Sequence, residues 1–166
     1  MHAYDAPLAR RTPLTPPHWD LYRHAVVDIR FPDLSVRVEP RPRGTALGHF
    51  PEPAGTAAVH VVTAWNPRGL TAPDADNARA QGLLLDEVRR RGLTWWAAVG
   101  GDAPGTHREE SVAVTGLSDA EARALGYRFG QDAVFAWSAD AWRVLACDSD
   151  ASDVNGWAVT ARSGDR

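Results

Sequence analysis

The sequence predicts an α+β protein with a ferredoxin-like split β-α-β sandwich core. Residues 58–137 contain apolar patterns in the order strand, helix, strand, strand, helix, strand, which is the element order of that fold. Continuous or alternating apolar runs indicate the strands, and apolar residues spaced three and four apart indicate the helices. An N-terminal helix and strand extend this core, and a C-terminal hairpin strand follows it.

The segments before the core are short or irregular. Residues 1–15 lack apolar periodicity and contain Pro7 and Pro13, which predicts a flexible N-terminal arm. A helix is expected from residue 17 to about 27, and alternation over residues 34–39 is typical of an edge strand. Residues 40–56 contain four prolines, so we expect a long mobile loop there.

The core elements have clear signals. The apolar strand that begins at residue 58 ends in the turn Trp65-Asn66-Pro67, and the next helix carries an apolar stripe and ends at Gly92. Trp95 and Trp96 are neighbours in one strand, so we expect them on opposite faces of the sheet. The six core elements span residues 58–65, 78–91, 93–99, 111–115, 118–125 and 133–137.

The end of the chain changes in composition. Residues 142–147 form the expected hairpin strand, and residues 148–166 are acidic and rich in small side chains, which predicts a poorly ordered tail. The sequence therefore predicts an arm over residues 1–15, one domain over 16–147 and a tail over 148–166.

Composition excludes several classes of protein. The single cysteine, Cys147, cannot form an intrachain disulfide or a cysteine-rich zinc site. The net charge of −3 is too small to indicate a class of partner. All 18 basic residues are arginine, but they form no long basic run, so we do not expect nucleic acid as a partner. An export signal and a long apolar run are both missing from the sequence, so we expect a cytoplasmic protein without a membrane partner. Oligomeric state is not indicated.

Strand alternation and right-handed crossovers predict where the strand ends meet. The first core strand lies between the third and the fourth, so the turn after Trp65 lies beside the starts of both. The N-terminus of the first core helix, near Asn77, lies over the same edge and favours an anionic group. The predicted site, named the polar edge, consists of Trp65, Asn66, Asn77, Glu110, Ser111, Gln131 and Asp132.

Several separated motifs also resemble one known family. They are Thr63-Ala64-Trp65-Asn66-Pro67, the later Asn77, the step Glu109-Glu110-Ser111 and the run FGQDAV at 129–134. Over roughly residues 20–147 the chain resembles the bacterial family called domain of unknown function 3293 (DUF3293). The resemblance implies a small, single-domain protein and carries over no activity.

Three functions follow as hypotheses. The first is a binding domain that holds a small polar ligand or a peptide end at the polar edge. The second is a hydrolase or transferase in which Glu110 acts as acid or base. The third is an RNA-contacting module that uses the sheet face or the arginine clusters. No ligand spacing indicates a metal site and no fingerprint indicates a cofactor. The aromatic candidates for RNA contact are Trp95, Trp96, Phe135 and Trp137.

Overall fold

The computed structural model describes residues 16–162, and its strands form a closed antiparallel β-barrel. The expected arm at 1–15 and the last four residues of the expected tail lie outside the described residues. The helices are α1 (Pro16–Arg23), α2 (Asp74–Arg90) and α3 (Asp119–Arg128). The strands are β1 (Val26–Arg30), β2 (Ser35–Arg41), β3 (Ala46–Leu47), β4 (Val59–Thr63), β5 (Trp95–Gly101), β6 (Arg108–Val114), β7 (Ala133–Trp137), β8 (Trp142–Ala146) and β9 (Ser152–Arg162).

Eight strands close the barrel in the order β2-β1-β5-β6-β4-β7-β8-β9. Closure occurs because β9 pairs with β8 on one side and with β2 on the other. The short β3 adds to β9 as a parallel partner. Two single 3₁₀ turns, Glu52–Ala54 and Pro67–Gly69, lie in the connections.

The predicted ferredoxin-like sandwich, and with it the α+β class, is wrong. Strand β4 does pair with β6 and β7, but in a sandwich β5 and β7 would be the edges of an open sheet. Here β5 also pairs with β1 and β7 also pairs with β8. The barrel leaves no such edge, because each of these strands has two neighbours.

The two ends of the chain supply the strands that were not predicted. Val26 and Val27 were assigned to the end of a helix but begin β1, and α1 ends at Arg23. Residues 152–162, which were assigned to a poorly ordered tail, form β9, and Trp157 of this strand is buried in the barrel. The domain therefore extends to at least residue 162.

Large aromatic side chains fill the barrel. Trp96, Trp137, Trp142 and Trp157 are all buried in one interior cluster, where their apolar area stabilises the fold. The ring centroids of Trp137 and Trp157 are 5.3 Å apart. Residues 40–56, expected to be a mobile loop, pack against this cluster, with the Phe50 ring 5.0 Å from Trp137.

A second apolar cluster lies between the barrel and the helices. Leu84 and Val88 of α2 and Leu125 of α3 pack there against Val112 of β6 and Val134 of β7. Helix α2 contacts β6, whereas α3 contacts β4, β7 and β8. The outer faces of β1 and β5 therefore lie beside α2. Within the described part of the chain, no helix is long and apolar enough to cross a membrane.

Candidate functional site

The polar edge brings Asn66 and Asn77 into direct contact. Asn66 has a left-handed backbone with φ of 46°, a conformation that asparagine adopts more readily than most residues. Its backbone N donates to Asn77 Oδ1 at 2.9 Å, and Asn77 Nδ2 donates to Asn66 Oδ1 at 3.0 Å. Asn66 Oδ1 also accepts from the backbone N of Ala72 at 2.9 Å. Both amides therefore hold the turn that leads into α2.

Glu109, and not Glu110, completes this network. Asn66 Nδ2 donates to Glu109 Oε1 at 2.9 Å, and His107 Nε2 lies 3.2 Å from the same oxygen. Successive residues of a strand point to opposite faces, so Glu110 projects away from Asn66. Both glutamates lie in the sequence motif of the edge. Alternation along β6 is the signal that shows which of the two faces Asn66.

Gln131 is also bound within the protein. It is 7% exposed, and its Nε2 donates to the backbone oxygens of Trp65 at 2.9 Å and Phe129 at 3.3 Å. The backbone oxygen of Asp132 accepts from the backbone N of Cys147 at 2.8 Å. The side-chain amides of Asn66, Asn77 and Gln131 are thus turned toward protein partners, so they act mainly in positioning the edge.

Helix α1 covers the same region of the barrel. The ring of Tyr22 packs edge-on against Phe135 at 6.1 Å. Burial, followed by the nearby charge of Asp132, raises the pKa of the Tyr22 phenol well above its usual value. Tyr22 therefore stays protonated at neutral pH and does not supply a base at this edge.

The other two residues of the polar edge, Glu110 and Ser111, line a cavity of about 440 Å³ on the outside of the barrel. We name it the outer cavity. Its volume lies within the range of small-molecule sites. Gln81 and Leu85 of α2 form one wall, and the small side chains of Ala97 and Val99 on β5 form the floor. Charged and polar groups around it are Asp28, Arg30, Ser35, Arg108 and Arg162.

Gln81 is the most informative residue of the outer cavity. It is 8% exposed, and its Nε2 donates to the backbone oxygen of Ser111 at 3.3 Å. Its Oε1 is buried and accepts no hydrogen bond from any described residue. Such a buried acceptor costs about 1–3 kcal/mol, and native proteins contain few of them. The amide is therefore held by its nitrogen, and its oxygen is left without a partner among the described residues.

The sequence contained a signal for Gln81 that was not used. Asn77, Gln81, Leu84 and Val88 are buried on one face of α2, at the spacing of a helix stripe. Two polar side chains on an otherwise apolar stripe indicate buried hydrogen bonds. Asn77 binds Asn66 of the polar edge, and Gln81, one helical turn further along α2, lines the outer cavity.

The charges of the outer cavity are only partly paired. Arg37 holds Asp28 with two hydrogen bonds of 2.8 and 3.1 Å. Arg108 Nη2 is 3.7 Å from the same carboxylate. Within the described residues Glu110, Arg30 and Arg162 form no ion pair shorter than 4.0 Å. One carboxylate and two guanidinium groups thus remain available around the cavity.

Metal binding receives no support from the described side chains. Across residues 16–162 no group of three or more histidine, cysteine, aspartate or glutamate side chains is arranged to hold a metal ion. The cavity instead combines amide, carboxylate and guanidinium groups with an apolar floor. This set suits an organic molecule that carries both polar and apolar parts.

Comparison with known proteins gives one match. The family described as "Protein of unknown function (DUF3293)" matches residues 62–134. This segment includes Gln81, Leu85, Glu110 and Ser111, and half of the other lining residues of the outer cavity. No curated protein and no solved structure matches the chain. The match to residues 62–134 confirms the resemblance to this family that the motifs predict.

Proposed function

We propose that this protein is a binding domain for a small polar molecule and that the molecule is held in the outer cavity. The single observation that supports this most is Gln81 Oε1, a buried acceptor on the cavity wall that no described residue satisfies. A ligand that donates a hydrogen bond to this oxygen would remove the cost of burying it unpaired. The neighbouring Glu110 and Ser111 come from the same sequence motif.

The proposal differs from the sequence hypothesis in its location. The polar edge was expected to hold the ligand, but Asn66, Asn77 and Gln131 use their amides on protein partners. We therefore assign them to positioning. They fix the start of α2, and α2 in turn places Gln81 against β6.

The two alternative hypotheses gain no supporting observation. Glu110 is exposed and forms no ion pair with a described residue, whereas a general acid or base must be held in position against the group it serves. For RNA contact, Trp96 and Trp137 are buried inside the barrel, and Phe135 stacks on Trp142 there at 5.1 Å. These rings cannot serve as an open stacking surface.

A thermal-shift screen of small polar metabolites tests the proposal. A ligand at 100 times its Kd stabilises the folded protein by about 2.7 kcal/mol, which gives a clear shift in Tm. The screen is run on the wild type and on Ala97→Phe, which places a ring on the exposed floor of the cavity. Ala46→Phe is the matched control, because Ala46 is an exposed strand residue that does not line this cavity.

We expect at least one compound to stabilise the wild type and Ala46→Phe but not Ala97→Phe. If every stabilising compound shifts all three proteins equally, the outer cavity is not the binding site. If no compound shifts the wild type at millimolar concentration, the protein does not bind a small polar metabolite.

A further inference from the structure

The available charges of the outer cavity lie on the two sides of β5. Strand β5 pairs with β1 on one side and with β6 on the other. Glu110 belongs to β6, whereas Arg30 belongs to β1 and Arg162 is paired with Ser35 of the next strand. Because neighbouring strands are 4.7–4.9 Å apart, the backbones of β1 and β6 are roughly 10 Å apart. Glu110 is in register with Val99, and Val99 is in register with Asp28, the carboxylate that Arg37 holds. Arg30 lies two residues further along β1, so the carboxylate of Glu110 and the guanidinium of Arg30 lie diagonally opposite each other across β5.

On the side formed by α2 and β6, Gln81 and Glu110 offer acceptors to a ligand, whereas the guanidinium of Arg108 is directed at Asp28, 3.7 Å away. Gln81 Oε1 is the unsatisfied amide oxygen, and its Nε2 is already bound to Ser111. Glu110 adds a carboxylate that no described arginine or histidine pairs with. A group that contacts both must donate several hydrogen bonds and carry positive charge. A protonated amine does this, with three N–H donors.

On the side formed by β1, β2 and β9, the guanidinium groups of Arg30 and Arg162 offer donors. Arg30 and Arg162 are both in register with Ser35 of β2, so they lie on the same face of the sheet, on either side of that strand. Asp28 does not neutralise them, because Arg37 already binds it with both oxygens. A guanidinium group binds a carboxylate through two parallel hydrogen bonds. This side therefore suits a carboxylate.

Between the two sides the cavity is apolar. Ala97 and Val99 form the floor, and Leu85 and Trp95 stand at the α2 side. The guanidinium of Arg89 already lies over the Trp95 ring, 5.2 Å from its centre. Methylene groups fit against such a floor, whereas further polar groups there would lose their hydrogen bonds to water.

We infer that the ligand is a small zwitterion in which a short aliphatic chain separates an amine from a carboxylate. The amine binds Gln81 and Glu110, and the carboxylate binds Arg30 and Arg162. This inference rests on the proposed function and narrows it to one chemical class. Molecules with the two charges on one carbon are too short to satisfy both sides across β5.

Titration with a series of amino acids of increasing chain length tests the inference. The probes are glycine, β-alanine, γ-aminobutyric acid and their longer homologues, measured by calorimetry on the wild-type protein. Each probe is paired with its N-acetyl derivative, which lacks the ammonium, and with its methyl ester, which lacks the carboxylate. We expect one of the longer homologues to bind best and each modification to weaken it about tenfold or more.

Two variants assign the ends of the ligand. Glu110→Gln should weaken the best amino acid about tenfold and leave the weak binding of its N-acetyl derivative unchanged. Arg30→Gln should weaken the amino acid and leave its methyl ester unchanged. Both residues are exposed, so the fold should tolerate the changes. Glu52→Gln and Arg43→Gln, at exposed positions outside the cavity, are the matched controls.

The outcomes separate this inference from the proposed function. The inference that the ligand is a zwitterion is wrong if no amino acid of the series binds. It is also wrong if the acetylated and esterified forms bind as tightly as the parent amino acid. The proposed function can still hold in that case. It does so if a compound of another class raises the Tm of the wild type but not that of Ala97→Phe in the metabolite screen. If that screen is also negative, both the inference and the proposed function fail.

Discussion

Asn66 and Asn77 bind each other through two hydrogen bonds, one to the backbone N of Asn66 and one between the two side-chain amides, at 2.9 and 3.0 Å. Asn77 is 3% exposed, and its partner belongs to the turn that follows β4. This pair joins the end of a barrel strand to the first turn of α2. It explains why the motif contains an asparagine at both positions.

Removal of Asn77 should destabilise the protein. Asn77→Ala leaves the backbone N of Asn66 without its acceptor in a part-buried place, which costs about 1–3 kcal/mol in the free energy of unfolding. Urea denaturation measures this loss. Asn155→Ala is the control, since Asn155 is only part-buried and its side-chain amide donates to Asp153, two residues away. Equal, small losses in both variants would show that the pair does not hold the turn.

Replacement of Gln81 should weaken ligand binding without a large loss of stability. Gln81→Met keeps the length of the side chain and removes the unsatisfied oxygen, at the loss of one hydrogen bond of 3.3 Å. We expect the free energy of unfolding to stay within about 1 kcal/mol of the wild type or to rise. Affinity for the compounds that stabilise the wild type should fall. A variant that is strongly destabilised would assign Gln81 to the fold instead.

Closure of the barrel can be tested with two glycines. A Cβ at Gly156 in β9 would overlap the backbone oxygens of Pro42 and Thr45, whereas a Cβ at Gly82 in α2 meets nothing within 4 Å. Gly156→Ala should therefore lower the stability by more than about 2 kcal/mol. Gly82→Ala should raise it by up to about 1 kcal/mol, because alanine favours a helix. Thermal unfolding of both variants gives the comparison, and tolerance of Gly156→Ala would contradict the position of β9.

His60 should make the stability depend on pH. It is 1% exposed, and burial lowers the pKa of its imidazole below the usual 6.5, although the bond of 2.8 Å to Asp119 opposes this. The unfolded chain then binds a proton near pH 6.5 that the folded protein does not bind. The stabilising contribution is complete above pH 6.5 and is lost as the pH falls toward the lowered pKa.

Urea denaturation between pH 7.5 and about pH 5 checks this dependence. His60→Gln should lose the slope in this window, and His49→Gln, at an exposed position, should keep it. Asp119 contributes to the stability in a lower pH range, because Arg143, and then His60, hold the pKa of its carboxyl at about 2. An unchanged slope in His60→Gln would contradict the assignment to His60.

The middle of the chain was predictable from periodicity, because its strands are strongly apolar and its helices have stripes or caps. The capping box of Ser118 and Glu121 is present as predicted, and Trp96 lies inside the barrel while Trp95 lies outside, against α2. The barrel itself was not predictable in this way. It depends on β9, which begins with exposed and polar residues and is buried only around Trp157, so its sequence does not show the apolar pattern of a strand.

The candidate site was predicted only in part for a similar reason. Alternation along β6 decides that Glu109 faces Asn66 and that Glu110 faces the outer cavity. Arg30 and Arg162 of the cavity come from β1 and β9, the strands that the sequence did not reveal. Sequence periodicity is local, whereas the cavity is built from strands that are distant in the chain and adjacent only after closure.

A nitrogen–proton NMR titration locates the bound compound on the protein. The probes are the compounds that stabilise the wild type in the metabolite screen, together with γ-aminobutyric acid. We expect the largest shifts at the side-chain amide of Gln81 and at the backbone amides of Ala97 and Glu110, which line the outer cavity. Shifts that centre on the side-chain amides of Asn66 and Asn77, with none at Gln81, would contradict binding in the outer cavity.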